Sequence, residues 1–334
     1  MVAPLLPQDV HRAHWCSLSL DVSSAKRGQE DRQPCRNRAC ALKSGLAMPK
    51  QMPETTATFI EVECLRMAKL NQPLSIQVHP DDTFAHSMGL PSGKTEGWYV
   101  LSAAPEAKVA LGLNQRLTPQ QLRETIDDGS ISDLVVWQTV SPDDVIFVPA
   151  GTIHAIGAGL VIAELQERSD ATFRLFDHGR QRELRVESAI AVANAGPADF
   201  QVQPNQLAAE RMLLVSSPHF VFERIDLAPD SSWSQEAERE TWRLVLSGAA
   251  RAGSLDVATG DAIFVQSDRV DIHPGTIGMV GLAAYTGGGP VPHLLQRVRQ
   301  PGAMDAGRPQ DVQVPTSLTQ AKGGPHDGRL EITQ

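Results

Sequence analysis

From about residue 55 the chain becomes a succession of short apolar, β-branched runs punctuated by turn signals. Runs at 57–64, 74–79, 97–102, 108–113, 135–139, 144–148, 160–164 and 172–175 are separated by clusters such as Pro80-Asp81-Asp82, Pro91-Ser92-Gly93 and Pro149-Ala150-Gly151. Many short strands with Gly/Pro turns predict a mainly β chain, a sandwich or barrel. One helix interrupts the strands. Thr118 is its N-cap, Pro119 its first residue, and Gln121 stands where a capping box requires it. Leu122 and Ile126 then share a face, and Gly129 ends the element. A second helix is predicted over 183–194, with Val186, Ile190 and Ala193 at helical spacing.

After a polar link at 196–206 the β texture resumes, with runs at 220–227, 241–246, 262–265 and 278–284. The phrase Asp143-Asp144-Val145-Ile146-Phe147-Val148 returns as Gly260-Asp261-Ala262-Ile263-Phe264-Val265, which suggests two related β units. Upstream there is no sustained period, and 27–38 offers almost nothing apolar to bury, so poor order is expected. The expected organisation is therefore a poorly ordered segment at 1–55, a first β domain at 56–196, a second at 207–301 and a flexible tail at 302–334.

A net charge of −9 argues against a general nucleic-acid binder, which needs a basic face. No apolar run approaches the ~20 residues of a membrane span, and the first fifteen residues lack a secretory apolar core. Asp9, Asp21, Glu30 and Asp31 disfavour a transit peptide. Cys16, Cys35, Cys40 and Cys64 form no CxxC pair, so reduced thiols in a cytoplasmic protein are expected. Neither nucleic acid nor membrane is an expected partner, and the expected assembly is a monomer or weak homodimer.

Three segments carry candidate chemistry. In Ser75-Ile76-Gln77-Val78-His79-Pro80, residues two apart point to one face of a strand, so Gln77 and His79 reach a common point. Gly93-Lys94-Thr95-Glu96 gives Lys94 and Glu96 the same spacing. Pro149-Ala150-Gly151-Thr152-Ile153-His154 is a turn delivering a histidine to the next strand. Two imidazoles, a carboxylate and an amide oxygen suit a divalent ion such as zinc. Spacing alone leaves a metal group and unconnected core or surface residues both open.

The order of these segments resembles the cupin metal motifs, with Gln77 where the first of two histidines usually stands. That exchange is similar to the class I, zinc-dependent mannose-6-phosphate isomerases in their short bacterial form. Leu74–Asp82, Gly93–Tyr99, Pro149–Gly159 and Ser169–Asp177 carry the resemblance, which extends from about Pro73 to Pro301. It implies two cupin (jelly-roll) barrels with a few short helices, the first catalytic and the second metal-free. It implies one Zn2+ per chain on Gln77, His79, Glu96 and His154, and a small phosphorylated sugar as substrate. Arg174 matches the arginine that stabilises an enediolate, Lys94 and Glu164 match pocket residues, and Ser75 and Arg180 stand where the phosphate is expected. The implied activity interconverts mannose 6-phosphate and fructose 6-phosphate by proton transfer through a cis-enediol. Glu164 is the candidate base, with Lys94 or a zinc-bound water as the other choices. His86, His178, His219, His273 and His293 have no such setting and read as structural or exposed.

Upstream of Pro73 the resemblance fails. The opening strand with its Trp-Gly pair is missing, and Cys64-Leu65-Arg66-Met67 matches a buried strand poorly, as an altered reading frame or misplaced start would. An unpaired sheet edge is the expected consequence. The competing function is a non-catalytic metal-binding cupin that holds a sugar or sugar phosphate. An iron cupin oxygenase is disfavoured by Gln77.

Overall fold

Alternating burial along the strands resolves into three antiparallel sheets in a computed structural model that describes residues 40–42, 62–70, 72–180, 182–198, 202–266 and 268–298. The chain runs β1 (Cys40–Leu42), β2 (Val62–Leu70), β3 (Ile76–Val78), α1 (Asp82–Ser87), β4 (Glu96–Ala103), β5 (Lys108–Leu113), α2 (Pro119–Asp127), α3 (Ile131–Leu134), β6 (Val135–Thr139), β7 (Val145–Val148), β8 (His154–Ile156), β9 (Leu160–Glu167), β10 (Phe173–Phe176) and α4 (Val186–Val192). It continues with β11 (Asn205–Ala208), β12 (Arg211–Ser216), β13 (Phe220–Leu227), β14 (Trp233–Ala237), β15 (Thr241–Ala252), β16 (Leu255–Ala258), β17 (Ala262–Val265), β18 (Asp268–Thr286) and β19 (Leu295–Arg297).

The first β stretch forms a four-stranded sheet, β2-β9-β4-β7, and a five-stranded one, β10-β3-β8-β5-β6. Period-two alternation gives each sheet two apolar faces with different partners. Trp98, Val100, Val109, Leu111, Ile146, Val148, Ile156, Leu160 and Ile162 fill the space between the sheets. The opposite face of the five-stranded sheet, including Ile76, Val78, Ala110, Ala155 and Phe173, is covered by Leu122 and Ile126 of α2, Ile131 of α3 and Ala189 of α4. The opposite face of the four-stranded sheet presents Tyr99, Ala163 and Leu165 to Phe220, Phe222, Leu244 and Leu282 of the second stretch. Arg224 Nη1 donates to Tyr99 Oη at 2.7 Å across the same junction.

The second stretch is a ten-stranded sheet whose main path is β1-β17-β15-β18-β13-β12-β11, with β14, β16 and β19 attached at its side. Ile225, Trp233, Val245, Ile263, Ile272 and Ala283 line its own interior. The fold is mainly β as expected, and among the described residues hydrogen bonding does not close the sheets into continuous rings.

The α2 cap is as the sequence requires: Thr118 and Gln121 complete a capping box around Pro119. Three expectations need correction. Pro80-Asp81-Asp82 is more than a turn, because Asp81 accepts from the Phe84 amide at 2.8 Å and so caps α1. The strand expected at 57–64 is described from Val62 and extends to Leu70, pairing with β9 and taking in Cys64-Leu65-Arg66-Met67. The segment expected to lack order contributes β1, which pairs with β17. The remainder of 1–55, residues 56–61, and the tail at 302–334 lie outside the described residues.

Candidate metal and active site

Strand register carries the site. Gln77 lies opposite His154 on β8 and opposite Arg174 on β10, so all three side chains share the inward face of the five-stranded sheet. In the facing sheet, Glu96 lies opposite Gln166, and Trp98 opposite Glu164. The polar residues therefore gather at one end of the space whose remainder is filled by Trp98 and its aliphatic neighbours.

His79, Glu96 and His154 are each 1 % exposed and form a group able to hold a metal ion. His79 Nδ1 lies 2.7 Å from the Ala171 carbonyl and His154 Nδ1 lies 2.9 Å from that of Thr152. A carbonyl only accepts, so both Nδ1 atoms carry the proton and both Nε2 atoms turn bare lone pairs inward. Outer partners of this kind fix the tautomer a metal needs. His79 Nε2 is 3.1 Å from Glu96 Oε1, and Lys94 Nζ lies 2.9 Å from the same oxygen. Lys94 offsets part of the carboxylate's charge, but the buried His79 Nε2 lone pair still has no hydrogen-bond partner. The donor set therefore fits a metal ion.

Burial first, and the charge of Lys94 second, lower the pKa of His79. Burial and then His79 push His154 down to about 4. Burial would raise Glu96, but Lys94 and His79 outweigh it and hold the carboxyl well below its ordinary range. All three groups are thus in their metal-ligating protonation states at neutral pH. Gln77 Nε2 is 3.3 Å from His154 Nε2, and Ser75 Oγ donates to Gln77 Oε1 at 3.0 Å. A half-turn of the amide would exchange oxygen and nitrogen while keeping a bond to Ser75, so Gln77 can serve as a fourth donor.

Lys94 Nζ rests 2.9 Å from Glu96 Oε1, and Trp98 Nε1 donates to Glu96 Oε2 at 3.1 Å. Arg174 is partly buried, and its Nε has no hydrogen-bond partner. Burial first, then the charges of Arg182, Arg185 and Arg180, lower its pKa, while Asp177 opposes them. Arg180 binds Asp177 at 2.9 Å, and Arg182 binds the same carboxylate. Ser75 and Arg180 are thus engaged separately, one with Gln77 and one within an arginine-rich rim. No role was assigned to Arg182 or Arg185 from the sequence.

Gln166 was also missed. It is 1 % exposed, shares the inward face with Glu96, and neither its amide nitrogen nor its oxygen has a partner. The signal was present in the sequence, since Gln166 stands two residues after Glu164 on one strand.

No family model matches the chain. Over 219 residues, 62% of this chain and 66% of the relative, it is 35% identical to the mannose-6-phosphate isomerase of Streptococcus mutans. Over 130 residues, 36% of this chain and 41% of the relative, it is 39% identical to mannose-6-phosphate isomerase ManA of Bacillus subtilis. The chain belongs to the mannose-6-phosphate isomerase family. It spans at most 66% of the length of these curated isomerases. The crystal structure of the Bacillus subtilis mannose 6-phosphate isomerase superposes with a TM-score of 0.58 at 23% identity, covering 66% of this chain and 73% of that one. A variant of phosphomannose isomerase from Salmonella typhimurium superposes at 0.52 with 15% identity, covering 66% and 78%. At those identities the structures speak for the fold alone.

Proposed function

We propose that this chain interconverts mannose 6-phosphate and fructose 6-phosphate with one zinc ion held by Gln77, His79, Glu96 and His154. The observation that carries the proposal is the pair of inward, unprotonated Nε2 atoms facing a buried carboxylate, beside a cluster of arginines, in a chain of this family. Mixed nitrogen and oxygen donors suit zinc. When bound, the ion supplies positive charge that polarises a carbonyl oxygen beside it.

The chain's own residues supply the rest. Isomerisation moves a proton between C1 and C2 through a cis-enediol, and negative charge grows on oxygen as the C–H bond breaks. Arg174 is assigned to neutralise that oxygen, because its guanidinium faces the same interior and keeps an unpaired N–H. Glu164 is assigned to lift and return the proton, as a carboxylate on the strand that also carries Gln166. Lys94 is the second candidate for proton transfer and already neutralises part of Glu96. The phosphate is assigned to Ser75 and Arg180, with Arg182 and Arg185 extending the cationic rim. Trp98 and the aliphatic residues beneath it keep water from the reacting face. We further assign the chemistry to 56–196 as a catalytic domain, treat 207–301 as a metal-free companion, and infer a monomeric or weakly dimeric cytoplasmic protein.

Gln166 is assigned to read a sugar hydroxyl, since a buried amide without partners costs stability until a ligand satisfies it. Gln166→Met is expected to raise the stability of the free protein by up to about 1 kcal/mol while weakening substrate. The Michaelis constant should rise roughly tenfold, the equivalent of one lost hydrogen bond. An unchanged Michaelis constant in a steady-state assay removes the assignment.

The function itself is tested by coupled detection of fructose 6-phosphate, before and after chelation and after zinc is restored. Turnover should vanish on chelation and return with zinc. The limited coverage of the relatives favours one other reading, a non-catalytic cupin that binds the sugar phosphate. Binding of mannose 6-phosphate without turnover by the zinc-loaded protein would establish it. Activity that survives complete removal of metal would refute the assigned role of the ion.

A further inference from the structure

A second group of donors meets where the two β stretches touch. Asp82 in α1, Glu167 at the end of β9 and His219 in the turn between β12 and β13 bring one ligand atom each within 4.8 Å of the others. His219 Nδ1 lies 2.9 Å from Glu167 Oε1 and 4.0 Å from Asp82 Oδ2. Each carboxylate is anchored by its other oxygen. The Thr95 amide donates to Glu167 Oε2 at 2.7 Å, and the Gly93 amide donates to Asp82 Oδ1 at 2.7 Å. Gly93 is required for that approach, since a Cβ there would lie 2.5–2.7 Å from backbone atoms of Pro80, Asp81 and Asp82.

The decisive observation is Glu167 Oε1. Its side chain is 1 % exposed, and Oε1 has no hydrogen bond although His219 Nδ1 lies beside it, equally without one. This repeats the arrangement of His79 Nε2 and Glu96 Oε1 in the first group. In both places backbone groups fix one donor atom of a side chain and turn the other toward a shared point. The Glu167 carboxylate raises the pKa of His219, so without an ion the pair shares a proton that a bound cation would displace.

We propose that Asp82, Glu167 and His219 bind a second divalent metal ion of the first transition row. Once the shared proton has left, two carboxylates with a neutral imidazole carry two negative charges, which a divalent ion balances. Carboxylate and imidazole together suit manganese, iron(II) or zinc. The Asp82 side chain is 37 % exposed, which leaves a route for the ion and room for water ligands. The ion ties α1 and β9 to the turn before β13. It also holds Thr95, the residue before Glu96, so its role is to position the first group rather than to touch substrate.

Mn2+ is the probe, added to the metal-stripped full chain while free Mn2+ is followed by electron paramagnetic resonance. In a His79→Ala/His154→Ala background, one Mn2+ per chain should remain, and adding His219→Leu should abolish it. In the otherwise unaltered protein, His219→Leu should lower the number of bound ions by one. If His219→Leu does not fold, as judged by circular dichroism, Asp82→Asn at the exposed margin should still weaken Mn2+ about tenfold or more. Absence of any ion in the double-variant background overturns the proposal. So does Mn2+ binding indifferent to His219 or Asp82, including the case in which His219→Leu lowers stability alone and reveals a simple ion pair.

Discussion

Arg174→Ala is expected to leave metal content unchanged and to lower turnover by about 100- to 1,000-fold, the loss typical when a charge-stabilising donor is removed. Its guanidinium sits among Arg180, Arg182 and Arg185 with Asp177 as the opposing charge, so the free protein gains little from it. Removing it should therefore leave the melting temperature unchanged or slightly raised. Arg174→Lys retains the charge but loses the planar fork, and should recover only part of the rate. Metal analysis, melting temperature and steady-state rates on the same preparations check all of this. A rate for Arg174→Ala within about threefold of the unaltered protein would remove the role assigned to it.

The largest expected effect on stability lies in the second β stretch, at Glu223. This carboxylate is fully buried, accepts from Arg211 Nη2 at 2.7 Å and Nε at 2.8 Å, and also accepts from Tyr285 Oη. Arg243 shares the interior, has no hydrogen-bond partner for any guanidinium nitrogen, and has its pKa lowered to about 10 by burial against the pull of Glu223. Glu223→Gln leaves two buried cations without a negative charge. Breaking a buried pair from one side costs about 3–5 kcal/mol, and urea unfolding should show a loss of that size. The companion change Glu223→Gln/Arg211→Met removes one stranded charge and should restore part of it. A loss below about 1 kcal/mol for Glu223→Gln would mean that the network does not hold this interior together.

The two predictions also show where sequence reading worked. Spacing put Lys94 and Glu96 on one strand face and a turn before His154 but left a metal group open. The fold brings His79, Glu96 and His154 together. Arg243 and Glu223 were not legible, since a charged residue in an apolar run is ordinarily read as facing solvent. Only the register of β13, β18 and β15, which sets Glu223 and Arg243 on either side of Ala283, shows that both face inward. Gln166 and His219 failed for a related reason. The two-residue spacing from Glu164 puts Gln166 on the same face, but neither Glu96 opposite Gln166 nor Glu167 beside His219 is encoded by any local period.

By itself, the sequence determined what depends on nearest neighbours along the chain. A capping box starts α2 because its residues satisfy each other's backbone groups within one turn. Gln77 and His79 share a face because a strand turns over every second residue. Tertiary structure alone decided which faces meet. It set Gln77 beside His154, 77 residues away, aligned Glu96 with Gln166, and carried His219 to Glu167. Burial in those places then sets the protonation of the histidines and carboxylates, because desolvation and neighbouring charge are properties of the assembled interior.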